Sequence, residues 1–171
     1  PFWLNWLSIA YPDLKLRLVV TRSAERFVTR AALAALAGGG EVLLDVWPER
    51  PAPTALHVEL AEWAEVVLVY PATLHYLARL AVGLADTPSL LAVQCTTAPV
   101  VVAPTLPPGA AASPVYRRHV AALAERPNVR VVPPVPAVSA TTGRPDAAAA
   151  PPLPDLIAAA EELRARLAVT A

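Results

Sequence analysis

Apolar residues in this chain come in two rhythms, and the alternation between them predicts the architecture. Residues 65–70 and 99–103 are short, nearly continuous apolar runs rich in valine, the pattern of strands covered on both faces. Residues 16–21 (LRLVVT), 41–46 and 128–132 are further strands. Between these runs the apolar positions recur every three or four residues, the spacing of a helix face. Trp3, Trp6, Leu7 and Ala10 do so in residues 2–11, which Pro12 ends; Leu74, Leu77, Ala78 and Ala81 do so after residue 73; residues 155–168 close the chain as an amphipathic helix. Strand and helix alternate, which predicts an α/β fold: a three-layer Rossmann-like, flavodoxin-like parallel sheet with right-handed crossovers. In such a fold a helix follows a strand. The first strand and its phosphate-binding turn are therefore expected upstream of Pro1.

The stretch from His57 to Asp86 organises the rest and reads as helix, buried strand, tight turn and helix. Pro71 is expected to stop the strand, since proline cannot continue a ladder. Ala72-Thr73 then opens a helix. Parallel α/β sheets bind ligands where strands end and helix N-termini present free N–H groups and a positive dipole. The Pro71-Ala72-Thr73 turn is thus a candidate cofactor position, with His57 just before the helix that feeds the strand.

Local signals punctuate the remainder. Thr21-Arg22-Ser23-Ala24 leaves the first visible strand and enters a helix expected to run through Phe27 to about Ala37. Ser23 suits either an N-cap or a phosphate contact. Gly38-Gly39-Gly40 lacks the spacing of a dinucleotide loop and reads as a helix C-cap. Thr54 is expected to cap the next helix, where Trp63 reads as packing. Thr87-Pro88-Ser89 reads as an N-cap with proline at the first helical position, opening a helix that runs through Cys95. After Pro104, residues 105–114 form a loop, and residues 115–126 a helix whose Arg117, Arg118 and His119 make a solvated face. Residues 133–152 are low in complexity and are expected to be extended and mobile, with Ala147–Ala150 capable of one helical turn at most.

Composition narrows the function classes. Lys plus Arg equals Asp plus Glu at 14 each, which leaves no electrostatic footprint for nucleic acid. The chain is 56% hydrophobic and 16% charged, yet no apolar run reaches the roughly 18 residues of a membrane span. Excess apolar surface on one domain of 171 residues is most simply covered by a subunit interface. A single Cys95 and three dispersed histidines argue against a disulfide framework and a metal site. With no signal peptide, a cytoplasmic location is the expectation.

Several short motifs, in order along nearly the whole chain, resemble those of the homo-oligomeric flavin-containing cysteine decarboxylases. They are Thr21-Arg22-Ser23-Ala24 with Phe27-Val28-Thr29, Asp45-Val46-Trp47, His57-Val58-Glu59-Leu60, Pro71-Ala72-Thr73, Gly83-Leu84-Ala85-Asp86 and Ala103-Pro104. That family includes decarboxylases of phosphopantothenoylcysteine and of C-terminal cysteines in lanthipeptides. The resemblance implies one FMN-binding domain over residues 1–171, assembled as a homotrimer or homododecamer with flavin at subunit interfaces. It implies His57 as catalytic residue, Ser23, Phe27, Thr73, Leu74 and His75 as flavin-binding, and no metal. Substrate contacts implied are Pro104 and Leu106 in a recognition loop, and Thr142, Gly143 and Arg144 in a flexible clamp spanning residues 133–152.

Departures from the family pattern refine the expectation. The flavin turn, usually PATANT or PASANT, reads Pro71-Ala72-Thr73-Leu74-His75-Tyr76, with His75 in place of asparagine, as a flavin contact or as packing. The recognition loop, usually PxMNxxMW, carries Leu106 for methionine and Pro107 for the asparagine that would contact the substrate carboxylate. Proline offers neither a side-chain donor nor an N–H, so that contact must come from Arg144, from His75, or be absent. The clamp has no cysteine to return a proton, and Cys95 is expected in an interior helix, so the chemistry should stop at the enethiol. The expected reaction is FMN-dependent oxidative decarboxylation of the C-terminal cysteine of a precursor peptide, with His57 as base for the thiol proton. Histidine as a residue type exchanges protons near neutrality. Two other readings stay open: decarboxylation of a small cysteine conjugate such as phosphopantothenoylcysteine, and a non-catalytic flavin-fold subunit.

Overall fold

The computed structural model describes residues 1–49 and 53–170. It has the expected α/β character, with parallel strands flanked by helices, and divides into two compact units, Pro1–Pro53 with Thr87–Ser89 and Thr54–Asp86 with Leu90–Ala171.

The first unit begins with helix α1 (Phe2–Ala10), which buries Leu7 and ends as the Tyr11 N–H donates to the Leu7 carbonyl at 2.8 Å. Its aromatic side chains stack edge to face, Trp3 on Trp6 and Trp6 on Tyr11, each with ring centres 5.8 Å apart, an arrangement favoured by the ring quadrupoles. Strand β1 (Arg17–Val20) pairs in parallel with β2 (Glu41–Leu44), Arg17 opposite Glu41 and Val20 opposite Leu44. The single helix expected from Ser23 to Ala37 is broken in two: a 3-10 turn (Ala24–Arg26), then α2 (Arg30–Leu36). Thr29 makes the break. Its backbone is extended and its hydroxyl accepts the Ala32 N–H at 3.1 Å, so the cap lies at Thr29 and not at Ser23. Ser23 holds the N-cap position of the 3-10 turn but makes no capping bond with its side chain. The Ala24 N–H is taken instead by Thr21, whose hydroxyl lies 3.2 Å away.

The triglycine ends α2 as expected, with left-handed backbone at Gly38 (φ 58°) and Gly39 (φ 86°). Gly40 serves a different need: a Cβ there would lie 2.4 Å from the Leu16 carbonyl oxygen, so only glycine lets the chain pass. After β2, buried Asp45 accepts from Ser89, from its N–H at 2.9 Å and its hydroxyl at 2.8 Å. These bonds cap the start of α5 (Pro88–Cys95). Thr87, the expected cap, has a buried hydroxyl with no hydrogen-bond partner among the described residues. Part of the proline-rich connection after Trp47, residues 50–52, lies outside the described residues.

In the second unit, α3 (Leu56–Trp63) starts at Ala55, and Thr54 does not cap it; the Thr54 hydroxyl is bound to the Glu59 carboxylate. Strands β3 (Val67–Thr73), β4 (Val100–Thr105) and β5 (Val129–Val131) form a parallel sheet in the order β3-β4-β5. Helices α4 (Leu74–Ala81), α6 (Pro114–Ala124) and α7 (Leu153–Thr170) pack on it.

The strand wholly covered on both faces is β4, whose Val100, Val101, Val102 and Ala103 are each 0% exposed, whereas β3 is half-buried. Val100 and Val102 share a core with Leu77 and Leu80 of α4, Leu90 and Val93 of α5, and Leu123 of α6. Strand alternation turns Val101 and Ala103 to the opposite face, and α7, which contacts β4 and β5, buries Leu156, Ala160 and Leu163. β3 does not stop at Pro71. It runs through it to Thr73, with a register shift between Val69 and Ala72 that accommodates the missing N–H. Likewise Pro104 lies inside β4, opposite Ala72, and does not end it.

The low-complexity segment is a β-hairpin. Strands β6 (Val135–Ala137) and β7 (Ala147–Ala149) pair antiparallel, Val135 opposite Ala149 and Ala137 opposite Ala147. The alanine run is a strand and not a helical turn, because pairing on both sides supplies the bonds that an isolated alanine segment would seek within itself.

Candidate active site

At the end of β3 the chain turns into α4 through Thr73, the N-cap, whose hydroxyl accepts the Tyr76 N–H at 3.1 Å. The preceding first-turn N–H groups, of Leu74 and His75, have no acceptor within an α-helix and carry the positive end of its dipole. His75 is exposed on that first turn. The other end of α4 is pinned by Arg79, whose Nε donates to Asp86 at 3.1 Å. This hydrogen bond holds the Asp86 carboxyl below its usual range.

His57 lies within α3, as its second residue, and not before it. It is half-buried. The first unit carries the other two expected cofactor residues. Ser23, exposed at the head of the 3-10 turn, has a side chain free of capping duty. Phe27 follows that turn with its ring 90% exposed, an unusual position for a large apolar side chain.

The expected substrate residues converge in part. Leu106, 1% exposed, bridges antiparallel to Ala148: its N–H donates to the Ala148 carbonyl at 2.7 Å, and the Ala148 N–H donates back at 3.1 Å. One residue earlier the Thr105 hydroxyl accepts the Ala150 N–H at 3.0 Å. The recognition loop is thereby joined to the hairpin, and together they form an open cleft of about 400 Å³. Leu106 and Pro107 line one side, residues 137–141 and 147–149 the other. Buried Pro104 lies beneath and does not line it.

Thr142, Gly143 and Arg144 stand at the hairpin tip, outside the cleft wall. Gly143 has φ 70° and donates its N–H to the Ser139 carbonyl at 2.8 Å. The exposed Arg144 guanidinium is paired with Asp146, 3.0 Å away. Cys95, expected in an interior helix, is the exposed last residue of α5. A second cleft of about 410 Å³ between α6, β5 and α7 contains none of the expected site residues, and Arg130 and Glu162 on its rim are paired with each other.

Three structurally important positions carried no usable local signal. Ala148 is one alanine in a run and matters because of what pairs with it. Asp45 was noticed only as part of a motif, whereas its carboxylate organises the start of α5. Ser139, buried in the cleft wall, was distinguishable only as a hydroxyl a few residues before a glycine turn. Among the described residues no cluster of three or more histidine, cysteine or acidic side chains could hold a metal, and no helix is long and apolar enough to cross a membrane.

The arrangement of strand end, helix N-terminus and neighbouring cleft is that of a nucleotide-type cofactor protein, and comparison with known proteins sharpens it. The Flavoprotein family model matches residues 9–164, and the chain belongs to that family. It is 38% identical over 141 residues to the cypemycin cysteine dehydrogenase (decarboxylating) of a Streptomyces species, covering 82% of this chain and 72% of that protein. The crystal structure of the cypemycin decarboxylase CypD is similar to it with a TM-score of 0.76 and 35% identity, over 96% of this chain and 84% of that one. The FMN-dependent cysteine decarboxylase TvaF from thioviridamide biosynthesis is similar with a TM-score of 0.72 and 30% identity, over 96% and 88% of the two chains.

Proposed function

We propose that this chain is an FMN-dependent cysteine decarboxylase that acts on the C-terminal cysteine of a precursor peptide, within the biosynthesis of a ribosomally made, modified peptide. The observation that carries this reading is the likeness to the cypemycin decarboxylase across 96% of the chain. The residues present fit FMN. The first-turn N–H groups of α4 have no acceptor inside the helix and suit a flavin's oxygens, nitrogens or phosphate, and the Ser23 hydroxyl in the first unit is a donor of the same kind. The exposed Phe27 ring offers a flat apolar surface to an isoalloxazine ring. Thr73, Leu74 and His75 in the second unit, and Ser23 and Phe27 in the first, are each proposed as a flavin contact.

Bound FMN supplies the two-electron oxidation of the substrate cysteine. His57, half-buried on the first turn of α3, takes the thiol proton, so that the electron pair left on sulfur becomes available. The oxidised Cα–Cβ–S unit is a thioaldehyde. It places an electron sink beside the carboxylate, so the Cα–carboxyl bond breaks, CO2 leaves and an enethiol remains. Leu106 and the hairpin wall hold the peptide end and exclude water from it. The clamp, residues 133–152, contains no cysteine that could return a proton to the product.

The assembly is a homotrimer or homododecamer, which would cover exposed apolar side chains such as Phe2 and Ile9, more than 70% exposed in the single chain. Its working location is the cytoplasm, where precursor peptides are made, and residues 1–171 serve as its FMN-binding domain.

The test is mass spectrometry of a synthetic peptide ending in cysteine after incubation with the FMN-loaded protein. The expected result is a loss of about 46 Da, CO2 plus two hydrogens. With FMN bound and no such loss, while a small cysteine conjugate loses CO2, the peptide assignment fails. His57→Asn is expected to keep its flavin absorbance while turnover falls by roughly 100-fold or more. Full turnover in that variant removes His57 from the role of base.

A further inference from the structure

The cleft between the recognition loop and the hairpin is lined without a single charged side chain. Two of its wall residues, Pro107 and Pro108, offer no N–H. The nearest cation in the hairpin, Arg144, lies outside the wall and is paired with Asp146. A peptide terminus entering this space brings a carboxylate that must find donors, because an unpaired charge out of water is strongly disfavoured.

The wall holds three hydroxyls, on Thr105, Ser139 and Thr141. Ser139 alone of these is buried, at 7% exposure. It is also fixed at three points. Its N–H donates to the Arg144 carbonyl at 2.8 Å, its carbonyl accepts the Gly143 N–H at 2.8 Å, and its Oγ accepts the Thr142 N–H at 3.3 Å. All three leave the hydroxyl proton uncommitted. A buried, immobilised donor loses little freedom on binding, and its bond to an anion is stronger in a low-dielectric wall than in water.

We propose that Ser139 is a specificity-determining residue of this cleft, donating its hydroxyl proton to an oxygen of the substrate's terminal carboxylate and so selecting chain ends over internal or amidated cysteines. The proposal rests on the peptide-decarboxylase reading for the identity of the ligand. The hairpin tip has a matching purpose: the turn closed by Gly143 and the Arg144–Asp146 pair holds the serine in place.

The experiment uses the FMN-loaded full chain and a fluorescent peptide ending in serine instead of cysteine, which cannot be oxidised at sulfur, made as the free acid and as the C-terminal amide. Fluorescence polarisation should show the acid binding roughly tenfold tighter than the amide, the discrimination expected of one hydrogen bond to a charged group. Ser139→Ala should bring the acid to within about twofold of the amide while leaving amide affinity unchanged, and Ser139→Thr should restore the preference. Unchanged amide binding shows that the cleft is still formed. The proposal is overturned if the natural chain shows no acid preference, if Ser139→Ala retains it, or if the variant weakens acid and amide alike, which is the signature of a purely structural serine. Mass loss from the cysteine peptide reads the decarboxylase assignment separately. Acid preference lost in Ser139→Ala without any mass loss would sink that assignment and keep the chain-end site, and mass loss without acid preference would do the reverse.

Discussion

Strand β4 and the hairpin of β6 and β7 lie in the same compact unit and meet at the end of β4, yet they are held by different forces. Five consecutive residues of β4, Val100 to Pro104, have no appreciable exposure, and the strand is covered by helices on both faces and paired on both edges. Its stability comes from burial of valine side chains, a term that grows with apolar area. The hairpin has three-residue strands of alanine, proline and valine with little to bury. It is held by backbone pairing and by a tie to the end of β4 and the residue after it, where Thr105 meets Ala150 and Leu106 meets Ala148. One side of the cleft is therefore built on a packed core and the other on backbone pairing. Side-chain burial fixes the first, and a few hydrogen bonds, individually worth about 1 kcal/mol, fix the second.

Three substitutions probe that contrast. Leu106→Ala acts where the two regions meet and should have the largest effect, a loss of about 2–5 kcal/mol in urea unfolding, because a leucine of 1% exposure is removed from the common core. It should also weaken peptide binding, since the cleft loses part of one side. A loss below 1 kcal/mol would mean that the hairpin closes over the vacancy and that the core does not depend on this residue.

Thr105→Val removes the acceptor of the Ala150 N–H and little else. About 1 kcal/mol is expected, concentrated in the hairpin. Amide exchange should quicken at Ala150 and in β7, while the β4 amides keep their protection. Uniformly faster exchange would show that hairpin and core open together. The smallest effect belongs to Arg144→Ala. Its partner Asp146 is reached across an exposed pair, 69% and 35% accessible. Unfolding should change by less than about 1 kcal/mol. A larger change would make the tip, and not its tie to Leu106, the anchor of the hairpin.

Much of the fold was legible in the sequence because it rests on local periodicity. The valine runs gave the parallel strands, the three-and-four spacing gave α4 and α7, and three successive glycines gave the end of α2. The candidate site was legible in part. Thr73 opens α4 as its sequence position predicts, and Leu106 lies in the cleft that the hairpin completes. His57 and Pro104 were located within a residue or two of their elements but on the wrong side of a boundary. Each boundary depended on a proline or a cap whose effect was set by neighbours distant in sequence.

The valine run of residues 65–70 reads as covered on both faces, yet β3 is only half-buried; what the residues alone establish is the alternation of strand and helix, the buried run of β4 and the family to which the motifs point. These follow from side-chain spacing and from the fixed geometry of strands and helices. The folded chain, and not local spacing, settles where the polar groups find partners. Ser23, Thr54 and Thr87 look like caps as convincingly as Thr29 does, but the Thr54 hydroxyl goes to Glu59, and Asp45 reaches the start of α5 from far along the chain. The hairpin has the same explanation. An alanine run has no strand preference of its own, and it becomes a strand because β6 lies on one side and Leu106 on the other, offering backbone partners that no local rule can supply.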